Sequence, residues 1–205
     1  VDVSGSRHFG TLSQMKRDMM AEVAATLAFS TIANNDKVGV IFFSDKIEKF
    51  IPAQKGKTHV LHIIRELLSF EPTSTGTNIA QALQYFSNAQ KRHCTVFLIS
   101  DFIGIENLEK PLMIASNRHE VNAIQIYDRR DTELPNLGLV QFRDAESGED
   151  IWVDTSLKTI REEYAMAWMR NQNQIEQIFT RTGVKKVAVR TDADYVKALM
   201  QLFRI

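Results

Sequence analysis

The chain has 205 residues, which is enough for one domain with a sizeable core. Of these residues 44% are hydrophobic and 24% are charged, as is usual for a globular protein. Lysine plus arginine and aspartate plus glutamate are balanced at 25 each. This balance gives no electrostatic reason to expect nucleic acid or an anionic membrane surface as a partner. No stretch of about 18–20 apolar residues is present that could cross a bilayer.

The start of the chain passes almost at once into a polar loop, so residues 1–3 have the pattern of the end of a strand. We expect the upstream part of this first strand to be missing, and a membrane anchor upstream stays open for that reason. Cys94 is the single cysteine and cannot form an internal disulfide. It suits a reducing compartment, and we therefore expect a cytoplasmic location.

The first part of the chain predicts a helix and two strands. Apolar residues recur at steps of three and four over residues 12–27, which predicts a helix with one buried face, and Ser13 is placed to cap it. Val38–Phe43 is continuously apolar, which is typical of a strand covered on both faces. The alternation over residues 47–51 predicts an antiparallel edge strand paired with it.

The rest of the chain alternates helical and strand patterns. Helices are expected over residues 58–69, from Ile79 onward, and over 106–117, 157–182 and 194–203, with strands at Thr95–Ser100, 121–127 and 184–189. This alternation predicts one α/β domain over residues 1–205, with a doubly wound, mostly parallel sheet and one antiparallel edge strand. Residues 139–153 depart from it: two strand-like runs flank a polar turn with Gly148, which predicts an inserted β-hairpin.

Polar side chains gather where the predicted strands and helices begin or end. Asp2, Ser4 and Ser6 alternate along an extended loop and can present three oxygens to one point. Thr77 stands at the head of a helix, and Asp101 directly follows an apolar strand. Ligands of open α/β sheets bind beyond the carboxyl ends of the strands, where the strand order reverses. The five residues are therefore predicted to form one divalent-cation site.

The side chains of these five residues offer only oxygen atoms as ligands. Hydroxyls and carboxylates favour Mg²⁺, Mn²⁺ or Ca²⁺ over zinc, which prefers nitrogen and sulfur ligands. Hydroxyl ligands bring no negative charge, so a cation held by them stays electrophilic. An anionic oxygen from outside, such as the carboxylate of an Asp or Glu on a partner protein, is the expected further ligand.

The order Asp-x-Ser-x-Ser, then Gly-x-Thr, then a strand ending in Ser-Asp resembles the metal-ion-dependent adhesion site (MIDAS) of von Willebrand factor A domains. The flanking sequence is similar to a bacterial A-domain family of unassigned role, domain of unknown function 58, often encoded beside MoxR-type AAA+ ATPases. The similarity lies in residues 36–45, 76–83 and 99–102, and more weakly in residues 144–148 and 191–195.

This resemblance implies a von Willebrand factor A fold, which is Rossmann-like. It implies that Ser4, Ser6 and Thr77 are direct or near-direct ligands of Mg²⁺, whereas Asp2 and Asp101 act through water or hydrogen bonds. It further implies a non-enzymatic interaction module that works with a MoxR-type ATPase in assembling or remodelling protein complexes.

Two other functions stay open at this point. A Mg²⁺-dependent phosphohydrolase would also place an Asp after the first strand, but such enzymes usually carry a second Asp two residues on, where this chain has Ser4, and a lysine for the phosphate. The other alternative is a structural domain with a vacant site. The run Asp128–Arg129–Arg130–Asp131 follows a predicted strand and is interpreted as a solvated charge run, with an arginine that orients an acidic partner loop as the alternative.

Overall fold

The computed structural model describes residues 1–4, 10–11, 14–143 and 150–203. The helices and strands are, in chain order, β1 (Gly10–Thr11), β2 (Gln14–Met15), α1 (Lys16–Ala33), β3 (Val38–Phe43), β4 (Ile47–Gln54), α2 (Lys57–Ser69), α3 (Ile79–Ala89), β5 (Thr95–Ser100), α4 (Glu109–Ser116), β6 (Glu120–Tyr127), α5 (Arg129–Thr132), β7 (Leu139–Arg143), β8 (Asp150–Asp154), α6 (Lys158–Thr182), β9 (Lys185–Arg190) and α7 (Tyr195–Leu202). The mixed α/β class is confirmed.

The parallel part of the sheet consists of β5, β6 and β9, in that order. β3 and β4 form an antiparallel pair, which confirms the predicted pairing of the short strand with its predecessor. The first residues of the chain lie between these two groups of strands. The amide of Asp2 donates to the carbonyl of Ile99 over 2.9 Å, and that of Val3 donates to the carbonyl of Phe43 over 2.8 Å. The N-terminal segment therefore joins the β3–β4 pair to the parallel strands.

Two hydrophobic clusters involve alternate residues of the central strand β6. Ile124 and Ile126 belong to a cluster with side chains of α1, α2 and α7, whereas Val121 and Ala123 belong to one with side chains of α3, α4 and α6. Because successive residues of a strand point to opposite faces, helices cover both faces of the sheet here.

The β3–β4 pair requires a glycine at one position. A Cβ atom at Gly39 would lie 2.7 Å from the carbonyl oxygen of Ile51 and 2.8 Å from the amide of Ala53. Since such contacts are far too short, only glycine fits at this close approach of the two backbones.

The two strands predicted within residues 139–153 form the antiparallel pair β7–β8, with Val140 opposite Val153. Its turn, including Gly148, lies outside the described residues.

The first helix begins later than the sequence pattern predicts. α1 starts at Lys16 with Met15 as its N-cap, and the proposed cap Ser13 lies outside the described residues. Gly10 pairs with Met15 and Thr11 with Gln14 in a short antiparallel ladder instead. The sequence pattern placed the start of the helix too early because Met15 fits the three- and four-residue spacing of apolar residues, although it lies in β2 and not in the helix.

Across the described part of the chain, no helix has both the length and the apolar character needed to span a membrane.

Candidate metal site at the carboxyl ends of the strands

The loops that leave the carboxyl ends of the parallel strands lie at one edge of the sheet. Asp2 and Ser4 belong to the N-terminal segment, which runs parallel to β3, and Asp101 follows β5. Asp128 and Thr191 follow β6 and β9. Polar residues widely separated in sequence are therefore brought to the same edge.

Asp2 is buried and held by its neighbours. Its Oδ1 accepts a hydrogen bond from the amide of Ser4 over 2.9 Å, and its Oδ2 accepts one from the hydroxyl of Ser100 over 2.6 Å. Burial raises the pKa of Asp2 to about 6, and the negative charge of Asp101 acts in the same direction. A cation next to Asp2 would therefore favour its ionised form.

Asp101 is fixed by the loop that follows it. The amide of Ile103 donates to Asp101 Oδ1 over 3.1 Å, and the amide of Phe102 donates to Ser100 Oγ over 3.0 Å. Phe102 has a φ of 56°, a left-handed conformation that is costly for an aromatic residue, and its side chain is fully buried. The buried ring of Phe102 stabilises this turn, which orients the Asp101 carboxylate.

A buried lysine contacts the same carboxylate, and sequence reasoning missed it. Lys16 Nζ lies 2.9 Å from Asp101 Oδ2 and 3.3 Å from Asp131 Oδ1, and the Lys16 side chain is only 1% exposed. Burial disfavours its charge, but the carboxylates of Asp101 and Asp131 outweigh this effect and raise the pKa of Lys16. The ammonium group therefore stays charged at neutral pH. Lys16 could not be found from the sequence because it falls within the periodic pattern of α1.

The acidic residues of the run 128–131 are buried rather than solvated, so that interpretation was wrong for them. Asp128 accepts from the amide of Arg130 over 2.8 Å, and Asp131 accepts from the amide of Asp128 over 2.7 Å. Together they form the capping box of α5. Arg129 and Arg130 are exposed, as the interpretation had it. The spacing of three residues between the two acids is the signal that could have revealed the cap.

The loop with Thr77 is tied to the end of β3. The amide of Asn78 donates to the carbonyl of Ser44 over 2.8 Å, and the Asn78 side chain caps α3 by accepting from the amide of Gln81. A Cβ atom at Gly104 would lie 4.0 Å from the carbonyl oxygen of Thr77, so this loop packs against the loop after Asp101. Thr77 Oγ1 is buried and has no hydrogen-bond partner among the residues that the structure describes.

Glu48 on β4 organises this loop and was also missed. Its carboxylate accepts from the Ser44 hydroxyl over 2.8 Å, from the Thr73 hydroxyl over 2.7 Å and from the amides of Thr73 and Ser74. One side chain therefore joins the end of β3 to the segment before Thr77.

Of the five predicted site residues, Asp2 and Ser4 are joined by a hydrogen bond, and Asp2 also accepts from Ser100, the residue before Asp101. Thr77 lies at the same edge, because the next residue, Asn78, is bonded to Ser44 at the end of β3. Ser6 lies outside the described residues. Within the described ranges, no cluster of three or more His, Cys, Asp or Glu side chains could hold a metal. A cation at this edge would therefore depend on hydroxyl oxygens. The oxygen donor set, together with the unsatisfied hydroxyl of Thr77, fits a hard divalent cation.

The chain matches the family described as "Protein of unknown function DUF58" over residues 1–174. It is 29% identical over 205 residues to the uncharacterized protein Rv1480 of Mycobacterium tuberculosis (strain ATCC 25618 / H37Rv), a match that covers 98% of this chain and 64% of that protein. The chain thus spans less than two thirds of the length of that relative.

Two solved structures have a similar fold. BatB from Bacteroides thetaiotaomicron superposes with a TM-score of 0.62 at 16% identity, covering 98% of this chain and 91% of that one. An aerotolerance-related membrane protein from Bacteroides fragilis NCTC 9343 gives a TM-score of 0.62 at 17% identity, covering 97% and 92%. Identities this low show similarity of fold alone.

Proposed function

The chain belongs to the DUF58 family, whose function is unknown, and we propose that it is a metal-dependent protein-interaction module. In this proposal a divalent cation, Mg²⁺ by preference, binds at the carboxyl ends of the strands. The bound cation then captures an exposed Asp or Glu of a partner protein.

The observation that carries this proposal is the buried hydroxyl of Thr77, which has no hydrogen-bond partner in the described part of the chain. Leaving a buried hydroxyl unsatisfied costs about 1–3 kcal/mol. A cation that accepts this oxygen as a ligand offsets that cost. The buried carboxylates of Asp2 and Asp101 at the same edge supply the negative charge that attracts a cation.

The proposed ligands divide into two groups. The hydroxyls of Ser4 and Thr77, with that of Ser6, would bind the cation directly. Asp2 and Asp101 would act through water or hydrogen bonds, since both carboxylates already accept hydrogen bonds from the protein. When bound, the cation supplies a positive charge that a carboxylate from outside can neutralise.

The wider assignments are supported by the resemblance described above. A doubly wound von Willebrand factor A arrangement agrees with helices on both faces of β6 and with a site at the carboxyl ends of parallel strands. Action with a MoxR-type ATPase, in assembly or remodelling of complexes, rests on the family resemblance alone. A cytoplasmic location rests on the use of a single cysteine.

A phosphohydrolase would need a lysine that can bind phosphate, and the lysine near the site is already engaged in ion pairs. Lys16 lies beside Asp101, yet its ammonium group pairs with two buried carboxylates and is shielded from solvent. It is therefore poorly placed to bind a substrate phosphate, and the interaction module is the better-supported function.

Titration calorimetry with Mg²⁺ and with Mn²⁺ tests the proposal, using the native chain, Thr77→Val and Thr77→Ser. We expect saturable binding to the native chain and to Thr77→Ser, which keeps the hydroxyl, and none to Thr77→Val, which has nearly the same shape without it. In chelator, the free energy of unfolding of Thr77→Val should equal or exceed that of the native chain, because the substitution removes no hydrogen bond formed within the described residues. Absence of saturable binding to the native chain would refute the proposal.

A further inference from the structure

Lys16 places a positive charge inside the site proposed for a cation. It is the first residue of α1, and its Nζ lies 2.9 Å from Asp101 Oδ2. A second carboxylate oxygen, Asp131 Oδ1, lies 3.3 Å from the same nitrogen. All three side chains are at least nine-tenths buried. This is an ion cluster fixed by the fold and not a mobile surface contact.

The position of this charge bears directly on cation binding. A cation held near Asp101 would share that carboxylate with the Lys16 ammonium group, so the two positive charges would lie on either side of it. In a buried site such repulsion is poorly screened by water or salt, so the Lys16 charge lowers the affinity of the site for a cation.

We propose that Lys16 sets the cation affinity of the site, keeping it low and leaving the bound cation with positive charge that an external carboxylate neutralises. This inference rests on the proposed function. In this way Lys16 selects an acidic partner. Because Lys16 already neutralises part of the charge of the chain's own carboxylates, the charge of the bound cation must be balanced by a carboxylate from outside.

Asp131 provides the means to separate this effect from a structural one. Its carboxylate offsets part of the Lys16 charge, so its removal leaves the lysine more repulsive towards a cation. If Lys16 and Asp131 only held the fold together, loss of either would change cation affinity in the same direction. The charge mechanism requires opposite directions.

The variants are Lys16→Met, Asp131→Asn, the double variant Lys16→Met/Asp131→Asn and the charge-conserving Lys16→Arg. Removing one partner of a buried ion pair destabilises a protein, so each variant is first checked for folding by circular dichroism and thermal unfolding. The double variant removes both partners together, and it keeps the proposal testable if Lys16→Met does not fold.

Calorimetric titration with Mg²⁺ alone measures the outcome. We expect Lys16→Met and the double variant to bind Mg²⁺ about tenfold more tightly than the native chain, and Asp131→Asn to bind it more weakly. Lys16→Arg should stay close to the native affinity. Equal or weaker binding by both variants without Lys16 would overturn the proposal, as would a change in the same direction in Lys16→Met and Asp131→Asn.

Acetate tests the second half of the proposal. At saturating Mg²⁺, amide resonances of the ¹⁵N-labelled native chain should shift with added acetate, and the double variant should require about tenfold more acetate for the same shift. If the native chain and the double variant bind acetate with equal affinity, Lys16 does not contribute to partner selection and that half of the proposal is overturned. If the native chain itself binds no Mg²⁺, the proposed function fails first, and that result is distinct from native binding with unchanged affinity in the Lys16 variants.

Discussion

Asp2 is a carboxylic acid in surroundings that favour its neutral form. The side chain is buried, and the Asp101 carboxylate lies in the same cluster, so the pKa of Asp2 rises from 3.8 to about 6. Hydrogen bonds from Ser4 and Ser100 offset only part of this effect. A group whose pKa is higher in the folded state holds a proton there that the unfolded chain has already released. Asp2 therefore lowers the free energy of unfolding as the pH rises from about 4 through about 6.

Replacing Asp2 by Asn removes this pH dependence. In chelator, the difference in unfolding free energy between Asp2→Asn and the native chain should grow in favour of the variant from pH 4 to pH 7, by on the order of 2–3 kcal/mol. Urea unfolding at each pH gives the difference. Asp36→Asn, which removes an exposed carboxylate after α1, accounts for the change in net charge. A difference that stays constant over this pH range, or that falls, would show that Asp2 is not the buried acid described above.

The segment before α3 has no regular secondary structure, yet it carries Thr77. Its geometry depends on β4, from which the Glu48 carboxylate accepts hydrogen bonds from Thr73 and Ser74. Partners of this kind, which orient a metal ligand without touching the metal, typically affect metal affinity by a factor of about 10–100. The element that supports the site is therefore the antiparallel strand β4 and not the parallel sheet alone.

Glu48→Gln should weaken Mg²⁺ binding about tenfold without abolishing it, because the amide keeps one acceptor oxygen and loses the charge that strengthens these bonds. Calorimetry measures the affinity, and hydrogen exchange at the amides of Thr73 and Ser74 should become faster. Glu66→Gln is the matched control, since the Glu66 carboxylate on α2 pairs with Lys49 on β4. A loss of affinity as large in Glu66→Gln would mean that general destabilisation is the cause.

At the scale of the whole molecule, the pattern of apolar runs was sufficient to predict the mixed α/β class, the β3–β4 pair and the β7–β8 pair. Strands such as Val38–Phe43 and Thr95–Ser100 are visible as continuous apolar runs, although only the carboxyl-terminal part of each is buried. The start of α1 was not predictable, because the apolar spacing continues through Met15 while Gly10 and Thr11 pair with Met15 and Gln14 in a ladder.

The ligand candidates could be predicted because their spacing along the chain is local and their strand ends are marked. Lys16 and Glu48 could not be assigned in the same way. Both act through contacts with residues distant in sequence, Lys16 with Asp101 and Glu48 with Thr73, and only the folded chain brings them together. The cap formed by Asp131 had a local signal, whereas its ion pair with Lys16 had none. A lysine at the start of a helix and a glutamate in an edge strand are expected at the surface, and nothing local distinguishes Lys16 and Glu48 from other such residues.

In the proposed site a divalent cation binds between the hydroxyls of Ser4 and Thr77, beside Asp2 and Asp101. A crystal of the chain grown in Mn²⁺ would show the ion itself, because the anomalous scattering of manganese identifies it without reference to its ligands. We expect one strong anomalous peak within bonding distance of Ser4 Oγ and Thr77 Oγ1, with the carboxylates of Asp2 and Asp101 around it. A well-ordered site with no anomalous peak, or a peak at another position, would refute cation binding between Ser4 and Thr77.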